Sequence, residues 1–283
     1  MFSIIIPTWN NLALLQLCVR SIRTHSAWAH QIVLHINDGS DGTLEWAKAQ
    51  GLEYTHSLEN IGICTAVNLA FLHTRFDYVV YMNDDMYALP DWDTHLYAAI
   101  QNHATAYPAE PTKFMFSATM IEPTAMGSQC VINADYGKEV TTFKESELLQ
   151  EYSNYEKRDW CGSSWPPLII HREMWATVGG FSIEFSPGMS SDPDLSMKLW
   201  HAGVREFRGI GAARVYHFQA KSTLRIVKND GRTQFMRKWG ISASAFYRYY
   251  LRMGEIYTAP ATDPAESMTW QRLKVKWHII RKT

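Results

Sequence analysis

Two adjacent carboxylates at the end of an apolar run are the residues best suited to chemistry. Residues 77–82 predict a buried parallel strand, because both faces of such a run must be covered, and Asn83, Asp84 and Asp85 follow it directly. Open α/β sheets bind ligands at the carboxyl ends of their strands. Neighbouring carboxylates repel each other, so a divalent cation would stabilise the pair and could hold a diphosphate. Taken alone, these residues are better explained as the start of a turn before residues 89–90, and the case for chemistry depends on what surrounds them.

Three more polar clusters precede residue 90. They are Pro7-Thr8-Trp9-Asn10 after a predicted strand, Asn37-Asp38-Gly39-Ser40-Asp41-Gly42-Thr43 after the next, and Asn60-Ile61-Gly62 with Asn68 on the following helix. In a parallel sheet the first two clusters and the acidic one emerge at the same edge and form one cleft. Small and amide residues there can approach and hydrogen-bond a base and a ribose. Each loop alone is an ordinary turn, but four in this order predict a nucleotide site.

The elements that position these clusters alternate between strand and helix patterns. Strands are predicted at 2–6, 31–36, 52–56 and 77–82, and helices at 12–22, 43–49 and 63–73. This alternation predicts an α/β fold with a Rossmann-like, doubly wound, mostly parallel sheet. Further elements are predicted at 91–106 (helix), 113–121 (strand), 192–201 (helix), 205–208 and 213–218 (strands), and 233–252 (helix broken near Gly240). Residues 122–158 are interpreted as an insertion over the cleft, with a helix at 145–152.

Composition narrows the class of protein. The chain has 283 residues and a formal net charge of −1, so no overall field attracts nucleic acid. No apolar run is long enough to cross a bilayer, and the four cysteines lack the spacing of a metal or redox motif. We therefore expect no nucleic-acid partner and a reducing cytoplasmic location.

In combination, the four clusters resemble the nucleotide-sugar-binding half of glycosyltransferase family 2, which has the GT-A fold. The similarity continues beyond the middle of the chain. Gly162-Ser163 resembles the acceptor-side region, Ser191-Asp192-Pro193-Asp194-Leu195 resembles the family's Glu-Asp-x-Asp-Leu motif, and Val215-Tyr216-His217 resembles a late strand whose histidine binds metal or diphosphate. At three positions this sequence replaces an acid of the family pattern with another residue, namely Asn37, Asn83 and Ser191.

The resemblance implies an inverting, metal-dependent transfer of one sugar, such as a hexose, from a nucleoside-diphosphate sugar, with a UDP-sugar favoured. The implied acceptor is a hydroxyl of a glycan or a lipid-linked glycoconjugate, as in polysaccharide biosynthesis. Asp192 would be the catalytic base, and Asp85 and His217 would bind Mn²⁺ or Mg²⁺. The implied donor-binding residues are Pro7, Thr8, Asn10, Asp38, Gly39, Asn60, Gly62, Asn68 and Asp84, and the implied acceptor-side residues are Trp160, Gly162, Ser163 and Asp194.

The same resemblance divides the chain into a nucleotide-sugar half (1–110), an acceptor and catalytic-base half (111–222) and a C-terminal helical extension (223–283). Residues 234–239 nearly reproduce the Gln-x-x-Arg-Trp motif of processive synthases, with one extra residue. Processive synthases extrude polymer through membrane helices, for which this sequence has no candidate, so a non-processive member is implied.

Simpler interpretations exist for single residues. Asp192 before Pro193 is a sound helix N-cap, with Pro193 at the first helical position, and this is compatible with a role as base. His217 could be a packed strand histidine, and Trp160 a core residue. A catalytically degenerate module that binds a nucleotide sugar or a partner protein is the alternative function.

The C-terminal segment carries a separate signal. It contains five cations and no acid from residue 270 to 282, and Trp270, Leu273, Trp277 and Ile280 can share one helical face. This pattern predicts an interfacial helix, with peripheral contact to the inner face of an anionic membrane through residues 268–283. A solvated or oligomer-packing helix is the alternative.

Overall fold

The computed structural model describes residues 1–125, 127–220, 228–265 and 267–281. Its strands form one sheet. They are β1 (Phe2–Trp9), β2 (Gln31–Asn37), β3 (Glu53–Ser57), β4 (Tyr78–Tyr81), β5 (Met86–Ala88), β6 (Phe114–Glu122), β7 (Ile132–Asn133), β8 (Trp160–Cys161), β9 (Leu168–His171) and β10 (Glu206–His217).

The sheet order is β3-β2-β1-β4-β9-β6-β10-β5, with β7 beside β6 and β8 beside β10. Strands β1 to β4 run parallel, whereas β5, β8 and β9 pair antiparallel to their neighbours. The predicted α/β class with a mostly parallel, doubly wound sheet is confirmed. Strand β1 lies between β2 and β4, where the chain reverses its direction of travel across the sheet, and such a position is where open sheets bind ligands.

Helices cover both faces of the sheet. They are α1 (Leu12–His25), α2 (Thr43–Ala49), α3 (Ile63–Phe71), α4 (Trp92–Ala106), α5 (Glu145–Glu151), α6 (Arg172–Val178), α7 (Ser191–His201), α8 (Gly231–Trp239), α9 (Ala243–Ala245) with a π-helical turn at Phe246–Tyr250, and α10 (Thr269–Ile280). Short 3-10 turns lie at Val140–Thr142, Tyr152–Asn154 and Ile183–Phe185. No helix in the described parts of the chain is long and apolar enough to span a bilayer.

Alternation along the strands divides the core into two layers. Ile4 and Ile6 of β1 pack with α1, α2 and α4 on one face, while Ile5 packs with α3, α6, α7 and α8 on the other. All three isoleucines are fully buried, as expected for a central strand covered on both faces. This two-sided burial explains why the opening strand has an unbroken apolar sequence.

Three sequence predictions need correction. The strands predicted at 205–208 and 213–218 form one strand, β10, whose pairing with β6 shifts register between Ile210 and Arg214. The strands β5, β7, β8 and β9 and the helix α6 were not predicted. Asp192 is not the N-cap of α7, because the helix begins at Ser191 and Ser190 occupies the cap position.

The insertion at 122–158 is fastened to the edge of the sheet. The Arg214 guanidinium donates to the carbonyls of Tyr152 and Tyr155, and Tyr216 OH donates to Gly137 O over 2.7 Å. Leu148 of α5 is fully buried in the same apolar cluster as Tyr216. A buried cation that satisfies main-chain carbonyls holds a segment that has little secondary structure of its own.

Candidate active site

A cleft of about 520 Å³ opens at the carboxyl ends of β1, β2 and β4. All four polar clusters contribute to it, through Pro7, Thr8, Asn37, Asn60, Gly62, Asn83, Asp84 and Asp85. The pairing of β1 with β4 stops at Ile5, whereas its pairing with β2 continues to Trp9, so Pro7, Thr8 and Trp9 line the cleft from the end of a paired strand. Among the described residues of the insertion 122–158, none lines this cleft. These described residues therefore do not form the expected cover over it.

The end of β1 is joined to the acidic cluster. Thr8 Oγ1 donates a hydrogen bond to Asp84 Oδ2 over 2.6 Å, and both residues line the cleft. This bond occupies one oxygen of Asp84 and fixes the orientation of its carboxylate. Asp84 and Asp85 therefore have different surroundings, although they are neighbours in sequence.

Asn10 clamps the second cluster beside the first. Its amide nitrogen donates to Asp38 Oδ2 over 2.7 Å, and its amide oxygen accepts from the Gly39 amide over 3.0 Å. The hydrogen bond from Asn10 lowers the pKa of the Asp38 carboxyl, so Asp38 stays ionised at the rim of the cleft. Three residues lie next to the cleft lining in sequence without forming part of it: Asn10, Asp38 and Gly39.

Asn37 has a role that its sequence position did not reveal. Its Oδ1 accepts from the Ile61 amide over 2.9 Å and from Ser57 Oγ over 3.2 Å, while its Nδ2 donates to Thr8 O over 3.4 Å. An ionised aspartate could accept these bonds but could not donate to Thr8. The amide at this position, which departs from the family pattern, therefore joins the ends of β1 and β3 to the loop at Ile61.

Asp85 and His217 meet on another wall of the cleft. The Nε2 atom of His217 lies 3.3 Å from Asp85 Oδ2, and its Nδ1 lies 2.8 Å from Glu122 Oε1. Burial alone would lower the pKa of His217, but the charges and hydrogen bonds of Asp85 and Glu122 outweigh it and raise the pKa to about 10. Glu122 is buried at the end of β6, and the sequence analysis did not identify it.

This donor set would fit a divalent cation shared with a ligand if the cation displaced the proton from His217 Nε2, because an imidazolium has no lone pair to donate. Asp85 offers carboxylate oxygens, and Glu122 orients the His217 ring so that Nε2 faces Asp85, as carboxylate partners do for metal-binding histidines. In the described parts of the chain no cluster of three or more acids, histidines or cysteines is close enough to hold a metal by itself. Phosphate oxygens would have to complete the shell, which suits Mn²⁺ or Mg²⁺.

Asp192 lies on the cleft wall in the first turn of α7. Burial raises the pKa of its carboxyl from an ordinary 3.8 to about 7. A carboxylate with this pKa holds a proton well enough to accept one from a hydroxyl at neutral pH, which is the property a general base needs. Trp165 and Tyr81, which share the cleft lining, supply apolar surroundings.

The segment 186–190 joins the donor side of the cleft to the helix that carries Asp192. The Ile63 amide donates to Pro187 O over 2.9 Å, and a Cβ at Gly62 would lie 2.9 Å from the Cα of Pro187. Gly62 also has φ +77°, where glycine is favoured. This close backbone approach explains the glycine, and it means that the third cluster shapes the loop before the base.

Three predicted acceptor-side residues do not line the cleft. Trp160 is buried, and its Nε1 donates to Thr119 Oγ1 over 2.9 Å. Gly162 packs against the backbone of Met253, and the hydroxyl of fully buried Ser163 lies 2.6 Å from Ser117 Oγ. These contacts are those of core residues that support the sheet. From this region the cleft is lined by Trp165 and Pro166 instead.

Asp194 and Asn68 also face the interior rather than the cleft. Fully buried Asp194 accepts from Trp239 Nε1 over 2.8 Å and pairs with Lys238 Nζ at 2.9 Å. Asn68 exchanges two hydrogen bonds with the backbone of Phe181, of 2.7 and 2.9 Å. The Lys-Trp pair near the end of α8 thus anchors that helix to α7, and the hydrogen bonds of Asp194 and Asn68 described above are to other parts of the protein.

Comparisons with known proteins identify the family and the fold of the chain. The model for Glycosyl transferase family 2 matches residues 3–151. No curated protein matches the chain significantly.

Solved structures with a similar fold include residues 1–349 of TarS from S. aureus, with 14% identity, a TM-score of 0.55, and coverage of 76% of this chain and 60% of that one. The same TarS fragment in complex with UDP-GlcNAc gives 14% identity, a TM-score of 0.57 and coverages of 84% and 65%. GalNAc-T7 with UDP, GalNAc and Mn²⁺ gives 13% identity, a TM-score of 0.55 and coverages of 82% and 44%.

The chain spans less than two thirds of each of these structures, and at such identities the likeness concerns the fold, which is GT-A. The family match covers more than half of the chain and includes all four polar clusters. On this evidence the chain belongs to glycosyltransferase family 2.

Proposed function

We propose that this protein transfers one sugar from a nucleoside-diphosphate sugar to a hydroxyl of a glycan or lipid-linked acceptor, with inversion and with Asp192 as the base. The observation that carries the proposal is that one cleft contains both the Asp85–His217 pair and Asp192, whose pKa is about 7. A diphosphate needs the first feature and an acceptor hydroxyl needs the second.

In the proposed reaction the acceptor oxygen attacks the anomeric carbon while the bond from that carbon to the diphosphate oxygen breaks. Asp192 takes the hydroxyl proton, and the electron pair of the broken bond leaves with the nucleoside diphosphate. Attack from the face opposite the leaving group inverts the anomeric centre. A divalent cation held by Asp85 and His217 would neutralise charge on the diphosphate.

We assign the nucleoside to the first three clusters. Thr8 and Asn37 line the cleft with main-chain and side-chain hydrogen-bonding groups, and ionised Asp38 stands at its rim. A UDP-sugar is the favoured donor, since TarS and GalNAc-T7, which share the fold, are crystallised with UDP-GlcNAc and with UDP. The four cysteines are unpaired and buried, which is compatible with the proposed cytoplasmic location.

The first experiment measures thermal stability with UDP and Mn²⁺, and then with excess chelator. A ligand at about a hundred times its dissociation constant adds roughly 2.7 kcal/mol to the native state. We expect stabilisation that chelator abolishes, and loss of it in Asp85→Ala. Asp263→Ala is the matched control, because that carboxylate is 79% exposed on the surface.

The second experiment measures UDP release from a panel of UDP-sugars, with and without simple glycan acceptors. Release that depends on Mn²⁺ and on Asp85 would support the transferase. Binding of UDP with no release from any donor, alone or with acceptors, would instead favour the degenerate binding module. Absence of binding for UDP, GDP, dTDP and CMP alike would refute the assignment of the cleft.

A further inference from the structure

The last helix exposes a stripe of large apolar side chains. Trp270, Leu273, Trp277 and Ile280 of α10 are 64%, 41%, 64% and 69% exposed. Their spacing of three, four and three residues places them on one face of the helix, within about a quarter of its circumference. Two exposed tryptophans on one face form an apolar patch of a kind that commonly marks an interaction site.

The opposite face holds the helix to the protein. Val275 and Met268 are buried, and Gln271 Nε2 lies 3.4 Å from Tyr249 OH. His278 Nε2 lies 3.5 Å from Thr233 Oγ1 of α8, so both ends of the helix are attached. These contacts of the opposite face hold the helix so that the apolar stripe is exposed to solvent. The stripe is therefore not the face by which the helix packs on the protein.

Cations flank this stripe on both sides. By helical geometry, Lys274 and Arg281 fall beside one edge of the stripe, and Arg272 and Lys276 beyond the other. The sequence has no acidic residue from 267 to 283, whereas the formal net charge of the whole chain is −1. Apolar and aromatic side chains bordered by Lys and Arg complement an anionic lipid surface, where the rings lie at headgroup level and the cations meet phosphates.

We propose that α10 docks this protein on the surface of an anionic bilayer, with the Trp270–Ile280 stripe inserted and the flanking cations on the lipid headgroups. The helix has 12 residues, so it is too short to span the hydrocarbon core and would lie in the plane of the interface. A protein partner would need acids to match the cations, whereas a bilayer with anionic lipid supplies negative charge and an apolar interior together.

Helix α8 contacts both the docking helix α10 and the segment that lines the cleft. Helix α10 contacts α8, and a Cβ at Gly231, the first residue of α8, would lie 1.8 Å from the carbonyl oxygen of Met189. Met189 lines the cleft beside Asp192. If the acceptor of the proposed function is lipid-linked, docking would hold the protein on the surface that contains it, but the lipid interaction itself does not depend on the proposed transfer reaction.

The test is sedimentation of the full chain with vesicles of phosphatidylcholine alone and with about one third phosphatidylglycerol. We expect at least tenfold stronger binding to the anionic vesicles, weakened by high salt. The variant Trp270→Ser/Trp277→Ser should lose binding at least tenfold while its melting temperature stays close to wild type, because both side chains are exposed.

The matched control is Leu72→Ser/Ile183→Ser, which removes two apolar side chains of 71% and 67% exposure elsewhere on the surface. It should bind vesicles like the wild type. Equal binding by all three proteins, or no binding to anionic vesicles, would overturn the proposal. Self-association of the wild type that the tryptophan variant abolishes, without vesicle binding, would identify the stripe as an interface between copies instead.

Discussion

The substitution Asp192→Asn removes the proposed base and leaves the other residues of the cleft in place. The amide keeps the size and shape of the carboxylate but cannot accept a proton from the acceptor hydroxyl. General-base catalysis contributes typically about 10²–10⁴-fold, so we expect transfer to fall by at least about a hundredfold. Stabilisation by UDP and Mn²⁺ should be unchanged, because the base is placed on the acceptor hydroxyl and not on the diphosphate.

The raised pKa of Asp192 predicts the pH dependence of the wild type. With a pKa of about 7, roughly 1% of Asp192 is ionised at pH 5, half at pH 7 and nearly all at pH 9. The value of kcat/KM should therefore rise about tenfold per pH unit below pH 6.5 and level off above pH 8. The residual activity of Asp192→Asn should not show this rise with pH.

The same pKa makes a prediction about stability. A carboxyl whose pKa is raised from 3.8 to about 7 by folding binds its proton more tightly in the native state. Its contribution to stability is thus present below pH 4 and is lost as the pH rises to 7. The upper bound is about 4 kcal/mol, and partial solvation reduces it to about 1–3 kcal/mol. Asp192→Asn should therefore melt higher than wild type at pH 8, and the difference should shrink by pH 4.5.

The assay combines UDP release between pH 5 and 9 with calorimetry at pH 4.5 and 8, and uses Asp263→Asn as the exposed control. Near-normal transfer by Asp192→Asn would remove Asp192 from the role of base. A flat pH profile in the wild type, or a lower melting temperature of the variant at pH 8, would refute the reasoning from burial.

Three further substitutions test parts of the site. Glu122→Gln removes the carboxylate charge that contacts His217, the proposed metal ligand, so the Mn²⁺ concentration needed for half of the UDP stabilisation should rise about 10–100-fold. An unchanged titration with Mn²⁺ would contradict this. Asp194→Asn weakens the anchor of Lys238 and should lower the free energy of unfolding by about 2–4 kcal/mol in denaturant while folded protein keeps its turnover; lost turnover at full stability would return Asp194 to the acceptor site. Gly62→Ala should weaken UDP binding about tenfold, because the added Cβ would strain the loop. Gly51→Ala is its control and should bind UDP normally, since Gly51 has a similar positive φ and its added Cβ would have no atom within 4 Å. Equal effects of the two substitutions would exclude the loop contact.

Local pattern determined much of the fold. The predicted limits of α2 match the observed helix Thr43–Ala49, and the predicted strands at 2–6 and 31–36 differ from β1 and β2 only at their carboxyl ends. Those ends are informative, because Thr8 and Asn37 continue the strands and still line the cleft. Polar residues there are kept in strand geometry by main-chain pairing with the neighbouring strand, which the residues' own propensities do not indicate.

Long-range pairing decided what local pattern could not. The strand β5 has three residues and exists because β10 pairs with it. Glu122 ends a strand whose neighbour, β10, carries His217 95 positions later, so nothing in the surrounding sequence marks it as the partner of the proposed metal ligand. Trp160 and Trp165 lie five residues apart in sequence, yet only Trp165 lines the cleft, because Trp160 belongs to a strand paired with β10.

The sequence by itself determined which residue types lie at the strand ends, because buried parallel strands require apolar runs and polar loops mark where the runs stop. It thereby indicated the sheet and the carboxylates Asp84 and Asp85, while the resemblance of its motifs to glycosyltransferase family 2 pointed to Asp192. Only the tertiary structure decided their individual properties. The pKa of Asp192 depends on the protein packed around it, and the roles of Asp194 and Asn68 depend on partners 45 and 113 residues away, because burial and hydrogen bonding are set by distance in space.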